Sequence, residues 1–252
     1  MMAAPAGTIF WDFDGTLVSR PRMWSGACME ALDELLPGHT VSIDEMRSGL
    51  ATGFPWNNPH QSYVHLSEPN EWWAHVTGHF QVILRSLGVR HGLDTITQRV
   101  RQKIVDASRY RVYDDVVPTL ESLAAEGWRH LIVSNHIPEL DQVVARLGLN
   151  GFFTEVVSSA RIGYEKPHPE IFRHALRAAV PGRPVWMIGD NPNADCLPAA
   201  DLGIQAILVR TPPGPFAPYA PDLRAAAHLI RSHAAKQNTS SNPFPRAPTQ
   251  SH

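Results

Sequence analysis

Short apolar runs recur along the chain, and each is bounded by turn residues or by a polar segment. Each run is too short for a helix, and its continuous apolar character predicts a buried strand. The predicted strands cover residues 8–13, 130–134, 155–158, 185–189 and 205–209.

Helical segments alternate with these strands from residue 114 onward. Three of the segments are followed by Gly127, Gly148 or Gly203, and glycine just past a helix is its usual left-handed stop. The alternation predicts an α/β fold with a doubly wound parallel (Rossmann-like) sheet that has helices on both faces. The predicted helices cover residues 116–126, 139–147, 169–179 and 194–202.

More than a hundred residues separate the first two predicted strands, and their pattern is mostly helical. One helix is predicted over residues 23–36. Capping boxes that begin at Ser42 and Thr95 predict the starts of two others. A further helix is predicted from apolar residues spaced three to four apart, which are Trp72, Val76, Phe80, Ile83 and Leu87.

These patterns predict a core interrupted by one insert. We expect residues 1–19 and 112–235 to form the α/β core, and residues 20–111 to form a helical cap. Residues 236–252 are rich in Asn, Ser, Pro, Thr and Gln. Such a segment cannot bury enough apolar surface to offset its ordering entropy, so we expect a disordered tail.

Composition narrows the classes of partner. Lys and Arg number 22 against 24 Asp and Glu, so no basic excess indicates a nucleic-acid surface. No signal peptide, membrane-length apolar run or basic amphipathic stretch is evident. Cys28 and Cys196 lie far apart, as expected for two free thiols in a reducing cytosol. A cytoplasmic protein without nucleic-acid or membrane partners is expected, either monomeric or homodimeric.

Polar residues follow the predicted strands, and ligands of open parallel sheets bind beyond the carboxyl ends of strands. Acidic, hydroxyl and basic groups should therefore converge at one sheet edge. The residues concerned are Asp12 and Asp14 after the first strand, Ser134 and Asn135 at the end of the second, Lys166 after the third, and Asp190 with Asp195 after the fourth.

Each residue type has a physical role in such a site. Asp12 and Asp14 are two positions apart on an extended segment, so their side chains point the same way. Together with Asp190 they gather negative charge, and hard oxygen ligands of this kind suit Mg²⁺. A bound metal offsets the repulsion between an anionic phosphate and an anionic nucleophile. A hydroxyl or backbone amide at Ser134 and the ammonium of Lys166 can hold the remaining phosphate oxygens.

The four motifs in this order resemble those of the haloacid dehalogenase (HAD) superfamily, in the phosphatase-like branch with a helical C1-type cap. The resemblance covers about residues 7–212 and extends to phosphoglycolate-phosphatase-like members. The matching segments are Asp12-Phe13-Asp14-Gly15-Thr16-Leu17, Ile132-Val133-Ser134-Asn135, Lys166-Pro167, and Gly189-Asp190 with Asp195.

The resemblance implies a phosphohydrolase mechanism. Asp12 would attack phosphorus and form an aspartyl-phosphate, and Asp14 would protonate the leaving alcohol and then activate water. Asp12, the backbone carbonyl of Asp14, and Asp190 would hold Mg²⁺. Asp195 would bind the metal directly or orient its ligands. Phosphate would be held by the segment Ser134-Asn135 and by Lys166, which would also orient the nucleophile.

Other activities share parts of this pattern. Dehalogenases of the family attack carbon with the same first Asp, but they need no metal, and the residue equivalent to Asp14 is characteristically replaced. The presence of Asp14 therefore favours phosphoryl transfer to or from a small phosphate monoester. A phosphomutase of the same fold stays open as an alternative, as does a non-catalytic binding protein.

Substrate choice is expected to lie in the cap, which would close over the site and exclude water. A turn-rich loop at 53–60 could reach into the site. His136 follows the second motif directly and is placed near the phosphate by its position. The cap candidates for substrate contact are Arg20, Arg22, Arg47, Trp56, His60, Trp72, Trp73 and His75.

Overall fold

A parallel sheet lies at the centre of the computed structural model, which describes residues 5–212 and 218–240. Its order is β5-β4-β1-β6-β7-β8, and a separate antiparallel pair joins β2 to β3. The strands are β1 (Gly7–Trp11), β2 (Val18–Ser19), β3 (Arg111–Val112), β4 (Trp128–Ser134), β5 (Phe153–Ser158), β6 (Val185–Gly189), β7 (Gln205–Val209) and β8 (Tyr219–Ala220).

Helices cover both faces of this sheet and fill the insert. They are α1 (Met23–Leu35), α2 (Ile43–Gly49), α3 (Pro69–Ser86), α4 (Leu93–Val105), α5 (Val116–Ala125), α6 (Leu140–Arg146), α7 (Ser159–Ile162), α8 (Pro169–Ala178), α9 (Leu197–Asp201) and α10 (Leu223–Ser240). Short 3₁₀ turns lie at Pro55–Asn57, Val64–Leu66, Ala107–Arg109 and Asn150–Phe152, and a π-helical turn at Pro192–Cys196 precedes α9.

Alternation along β1 divides the hydrophobic core between the two faces of the sheet. Ile9 and Trp11 belong to the cluster that contains the buried faces of α5 and α10. Phe10 belongs to a second cluster, which contains the buried residues of α8 and α9. Successive strand residues point to opposite faces, so a continuous apolar run is required where helices cover both. The predicted doubly wound α/β class and all five predicted strands are confirmed.

The predicted helical insert lies between β2 and β3 and contains α1 to α4. Trp72, Val76, Phe80 and Ile83 are buried along α3, as their spacing predicts. The capping box at Ser42 is also confirmed, because its side chain accepts from the backbone of Glu45 and the Glu45 carboxylate accepts in return. The division into core and cap at particular residues stays a prediction.

The predicted start of α4 at Thr95 is wrong. The helix begins at Leu93, and its N-cap is Gly92 in the left-handed region (φ 68°), without a side-chain cap. Ile96 and Thr97 are buried within the first turns of the helix. Burial of this face together with the left-handed backbone at Gly92 therefore sets the start, and the local capping pattern does not.

The last helix enters the segment that was expected to be disordered. α10 continues to Ser240, five residues into the segment 236–252 that was expected to be disordered. Leu223, Ala226, Ala227 and Ile230 anchor this helix in the core, and extending an existing helix is far easier than nucleating one. Residues 241–252 of the expected tail lie outside the described residues. None of the described helices has both the length and the apolar character needed to cross a membrane.

Candidate active site

The carboxyl ends of three neighbouring strands bring the predicted site residues together. β1 lies between β4 and β6, so Asp12, which directly follows β1, is central. Ser134 ends β4 on one side, and Asp190 follows β6 on the other. Ser134 donates a hydrogen bond from its hydroxyl to Oδ1 of Asp12 at 2.9 Å. The topology of the sheet therefore assembles groups that are far apart in the sequence.

Lys166 places a buried ammonium group in the middle of this edge. Its Nζ lies 2.7 Å from Oδ1 of Asp12 and 2.5 Å from Oδ1 of Asp195. Burial on its own lowers the pKa of Lys166, but the charges of Asp12 and Asp195 outweigh burial and raise that pKa above its usual value. Lys166 therefore stays a cation that fixes both carboxylates.

Asn135 holds the backbone that carries Lys166. Its side-chain oxygen accepts from the Lys166 backbone N–H at 2.6 Å, and its amide nitrogen donates to the Lys166 carbonyl at 2.9 Å. Both polar atoms of the Asn135 side-chain amide thus form hydrogen bonds with the backbone of Lys166. The geometry gives this side chain a positioning role, and it leaves the backbone N–H as the part of Asn135 suited to the predicted phosphate contact.

Three carboxylates lie close enough together to share one cation. Ligand oxygens of Asp12, Asp190 and Asp195 lie within 4.8 Å of one another. Burial, followed by the charges of Asp12 and Asp195, raises the pKa of Asp190 well above its usual value. Burial also raises the pKa of Asp195, against the opposing charge of Lys166. One ammonium does not balance three neighbouring carboxylates, of which two are buried and one is half-buried, so the donor set fits a hard divalent cation such as Mg²⁺.

Gly15 makes room for this acidic cluster. Its φ is +82°, and a Cβ at this position would lie 2.2 Å from Oδ2 of Asp190. Any other residue would displace the carboxylate and would also strain the backbone. The glycine of the first motif is therefore required by the close approach of Asp190.

Asp195 uses both of its carboxylate oxygens. Oδ1 contacts the ammonium of Lys166, and Oδ2 accepts from the backbone N–H of Asn191 at 3.0 Å. The side chain is buried in the π-helical turn that follows β6. Such turns occur frequently at functional sites. This geometry favours Asp195 as the residue that orients Lys166.

Asp14 is half-buried, and its two carboxylate oxygens have different surroundings. Oδ2 lies 3.3 Å from Nε2 of His136, whose side chain is completely buried. Oδ1 is buried and has no hydrogen-bond partner among the described residues. Among those residues, the acidic cluster does not include the Asp14 side chain. The backbone carbonyl is then the part of Asp14 suited to the predicted metal contact, which leaves its carboxylate for proton transfer.

The sequence indicated the neighbourhood of His136 but not its contact with Asp14. Two other residues beside the site were missed, Tyr110 and Glu165, because neither belongs to a recognisable local motif. The hydroxyl oxygen of Tyr110 lies 3.4 Å from Nε2 of His136. Glu165 is 3 % exposed, and its Oε2 has no partner among the described residues. The only available signal for Glu165 was its position directly before Lys166.

The predicted cap candidates have diverse surroundings. Trp72 is buried in the cap core. Trp73 is buried and donates from its indole nitrogen to the Glu139 carboxylate at 2.9 Å, which links the insert to the start of α6. Trp56 is partly buried, and its ring stacks against Trp24 and Phe54.

The charged and histidine candidates lie mostly at the surface. Arg47 is exposed and pairs with Asp44, whereas Arg20 donates to the carbonyls of Lys103 and Ile104. The three remaining candidates, all of them exposed, are Arg22, His60 and His75. None of these contacts establishes a role in substrate recognition.

Known proteins are similar to this chain in sequence and in fold. The family model described as haloacid dehalogenase-like hydrolase matches residues 6–203. A glyceraldehyde 3-phosphate phosphatase of Methanothermobacter thermautotrophicus is 34% identical over 137 residues, which are 53% of this chain and 60% of that protein. Haloacid dehalogenase-like hydrolase domain-containing protein 3 of Danio rerio is 26% identical over 220 residues, 84% of this chain and 88% of that protein.

A solved structure supports the fold independently. The HAD-hydrolase YfnB of Bacillus subtilis, described as bound to magnesium, superposes with a TM-score of 0.68 and 17% identity, covering 90% of this chain and 99% of that chain. At this identity the likeness concerns the fold only. The family match, however, spans well over half of the chain and includes every strand end that carries the site. This protein therefore belongs to the haloacid dehalogenase-like hydrolases.

Proposed function

We propose that this protein is a magnesium-dependent phosphatase that hydrolyses a small phosphate monoester through an aspartyl-phosphate on Asp12. The observation that carries the proposal is the pairing of two carboxylates with opposite surroundings. Asp12 is held by Ser134 and Lys166, as suits a nucleophile whose direction must be fixed. Asp14 lies two residues further on, and its Oδ1 has no partner among the described residues, as suits a proton carrier.

The residues of the site would divide the reaction into two displacements. An oxygen of Asp12 forms a bond to phosphorus while the ester bond breaks, and Oδ1 of Asp14 gives a proton to the departing oxygen. Asp14 then takes a proton from water as the water oxygen attacks phosphorus, which frees Asp12 and releases phosphate. Lys166 and the backbone after Ser134 would hold phosphate oxygens during both steps.

Asp12, Asp190 and the backbone carbonyl of Asp14 would hold the metal ion, with Asp195 close to them. When bound, Mg²⁺ supplies charge that offsets the repulsion between phosphate and the carboxylates. Support comes from the three carboxylates within 4.8 Å and from the raised pKa of Asp190.

The printed names of relatives support a small organic phosphate as substrate, since one of them is a glyceraldehyde 3-phosphate phosphatase. The near balance of 22 basic and 24 acidic residues supports action without a nucleic-acid partner. Cys28 and Cys196 are both buried free thiols, in keeping with the proposed cytoplasmic location. A monomer or a homodimer is proposed.

Phosphate release from 4-nitrophenyl phosphate, with Mg²⁺ and with EDTA, tests the proposal. We expect turnover that requires Mg²⁺ and that disappears in Asp12→Asn. Asp44→Asn serves as the matched control, because Asp44 is an exposed carboxylate on α2. Turnover that persists in Asp12→Asn, or no turnover in the wild type, would overturn the proposal. A phosphomutase would instead isomerise a sugar phosphate without net release of phosphate.

A further inference from the structure

His136 is a completely buried histidine that contacts the side chain of Asp14. Its Nε2 lies 3.3 Å from Asp14 Oδ2 and 3.4 Å from the hydroxyl oxygen of Tyr110. Nδ1 of the same ring is buried without a partner among the described residues. Among the described residues, the polar contacts of the imidazole therefore all involve Nε2.

The proton on this ring can be assigned from its neighbours. Tyr110 donates its hydroxyl proton to the carbonyl of Ile104 at 3.2 Å. Burial and then the nearby charge of Asp14 raise the pKa of Tyr110, so the phenol keeps that proton. The Tyr110 oxygen and the Asp14 carboxylate both face Nε2 as acceptors. Nε2 must therefore carry a proton, because an unprotonated nitrogen would face two oxygen lone pairs.

The position of the imidazole is fixed by the surrounding core. Phe13 meets the His136 ring edge to face at 5.4 Å and 87°. The backbone N–H of His136 donates to the Ser159 hydroxyl at 3.1 Å, and its carbonyl accepts from the Ser158 hydroxyl at 2.8 Å. A side chain held from these directions can direct a more exposed partner. The Asp14 side chain is 36% exposed, and its Oδ1 has no hydrogen-bond partner among the described residues.

Tyr110 connects this contact to the segments that enter and leave the insert. Tyr110 directly precedes β3, and Arg20 directly follows β2. The guanidinium of Arg20 lies over the Tyr110 ring, 4.5 Å from its centroid. Arg20 also donates to the carbonyls of Lys103 and Ile104 at the end of α4. Both crossing segments therefore meet at the residue that supports the imidazole.

We propose that His136 is a positioning residue that holds Oδ2 of Asp14 so that Oδ1 stays directed at the leaving group, with Tyr110 supporting the imidazole. This inference rests on the proposed phosphatase function. The donated proton passes from Oδ1 to the departing oxygen and is replaced from water, so His136 itself gains or loses none.

This role has a signature that a purely structural role lacks. A poor leaving group needs the proton from Asp14, whereas a good leaving group departs without it. Loss of His136 should therefore affect phenyl phosphate more than 4-nitrophenyl phosphate. General acid–base help is worth roughly 10²–10⁴-fold, and we expect roughly a 10-fold larger loss of kcat for phenyl phosphate, with KM little changed.

The experiment measures kcat and KM of the full chain with Mg²⁺ for both aryl phosphates. His136→Leu removes the donor, and His136→Gln restores an N–H of similar reach and should recover part of the difference. Tyr110→Phe removes only a hydroxyl. It should also lower kcat more for phenyl phosphate than for 4-nitrophenyl phosphate, by a smaller factor than His136→Leu. It provides the test if His136→Leu does not fold.

His130→Leu is the matched control. His130 lies on β4 and, like His136, is a buried histidine; its imidazole accepts from the indole of Trp11. This control should lower the stability of the protein without changing the ratio of kcat for phenyl phosphate to kcat for 4-nitrophenyl phosphate. Equal losses for both substrates in the His136 variants, or an unchanged ratio in Tyr110→Phe, overturn the positioning role. Absence of turnover by the wild type would instead overturn the proposed function, so the two failures are distinguishable.

Discussion

The ammonium nitrogen of Lys166 lies 2.7 Å from Oδ1 of Asp12, although 154 positions separate the two residues in the chain. The same ammonium contacts Asp195, and the three side chains are all buried. This arrangement sets the direction of the Asp12 carboxylate before any substrate arrives. It also makes the stability of the folded protein depend on the balance of charge at the site.

Lys166→Met should destabilise the protein, because it leaves buried carboxylates without their cation. Removing one partner of a buried ion pair costs about 3–5 kcal/mol in free energy of unfolding. Urea unfolding at pH 7 in EDTA measures the difference. Adding Asp195→Asn to Lys166→Met should recover part of the loss, since one buried charge is then removed. Equal stability of Lys166→Met and the wild type would contradict the arrangement described.

Mg²⁺ should stabilise the wild type and have little effect on Asp190→Asn. A ligand that binds only the folded state at a hundred times its Kd adds about 2.7 kcal/mol. In EDTA, Asp190→Asn should be at least as stable as the wild type, because the raised pKa of Asp190 shows that its charge is disfavoured there. Thermal unfolding with and without Mg²⁺ tests both statements, with Asp44→Asn as control. An undiminished response to Mg²⁺ in Asp190→Asn would exclude Asp190 as a ligand.

Glu165 should make stability depend on pH. Burial raises its pKa from 4.5 to about 7, although Ser159 and Lys166 oppose the shift. The folded state thus holds this proton more tightly than the unfolded state. The contribution to stability is present below pH 4.5 and is lost as pH rises through about 7, by up to about 3 kcal/mol.

Glu165→Gln removes this titration. Relative to the wild type, it should gain stability as pH rises from 5 to 8. Urea unfolding across this range measures the gain. The control is Glu170→Gln, because Glu170 is partly exposed and pairs with Arg173; it should show no such gain. A pH-independent difference between Glu165→Gln and the wild type would contradict the raised pKa.

Much of the fold could be predicted because strands that are buried on both faces need apolar residues at successive positions. Each of the five longer strands contains a short apolar run, and α3 carries its buried residues at helical spacing. The two-residue strands β2, β3 and β8 were not predicted, because two residues show no periodicity. The capping pattern at Thr95 was misleading, because tertiary burial of Ile96 outweighs a local signal.

The site could be predicted as a set of residues but not as a set of contacts. Strand ends must meet at one edge of a parallel sheet, so the convergence of Asp12, Ser134 and Asp190 follows from topology. The pairing of Asn135 with the Lys166 backbone depends on how two loops pack, and no local pattern records it. The contact of His136 with Asp14 was hidden for the same reason.

Trapping a phosphoryl group on Asp12 tests the central claim most directly. In Asp14→Asn, the leaving group still departs as the unprotonated 4-nitrophenolate ion, but water is no longer activated, so the intermediate should accumulate. Acid quenching after mixing with 4-nitrophenyl phosphate and Mg²⁺, followed by digestion and mass spectrometry, should find the phosphoryl group on the peptide that contains Asp12, at the Asp12 side chain. Release of 4-nitrophenol with this peptide unmodified, or a phosphoryl group that persists elsewhere in Asp12→Asn, would contradict the account.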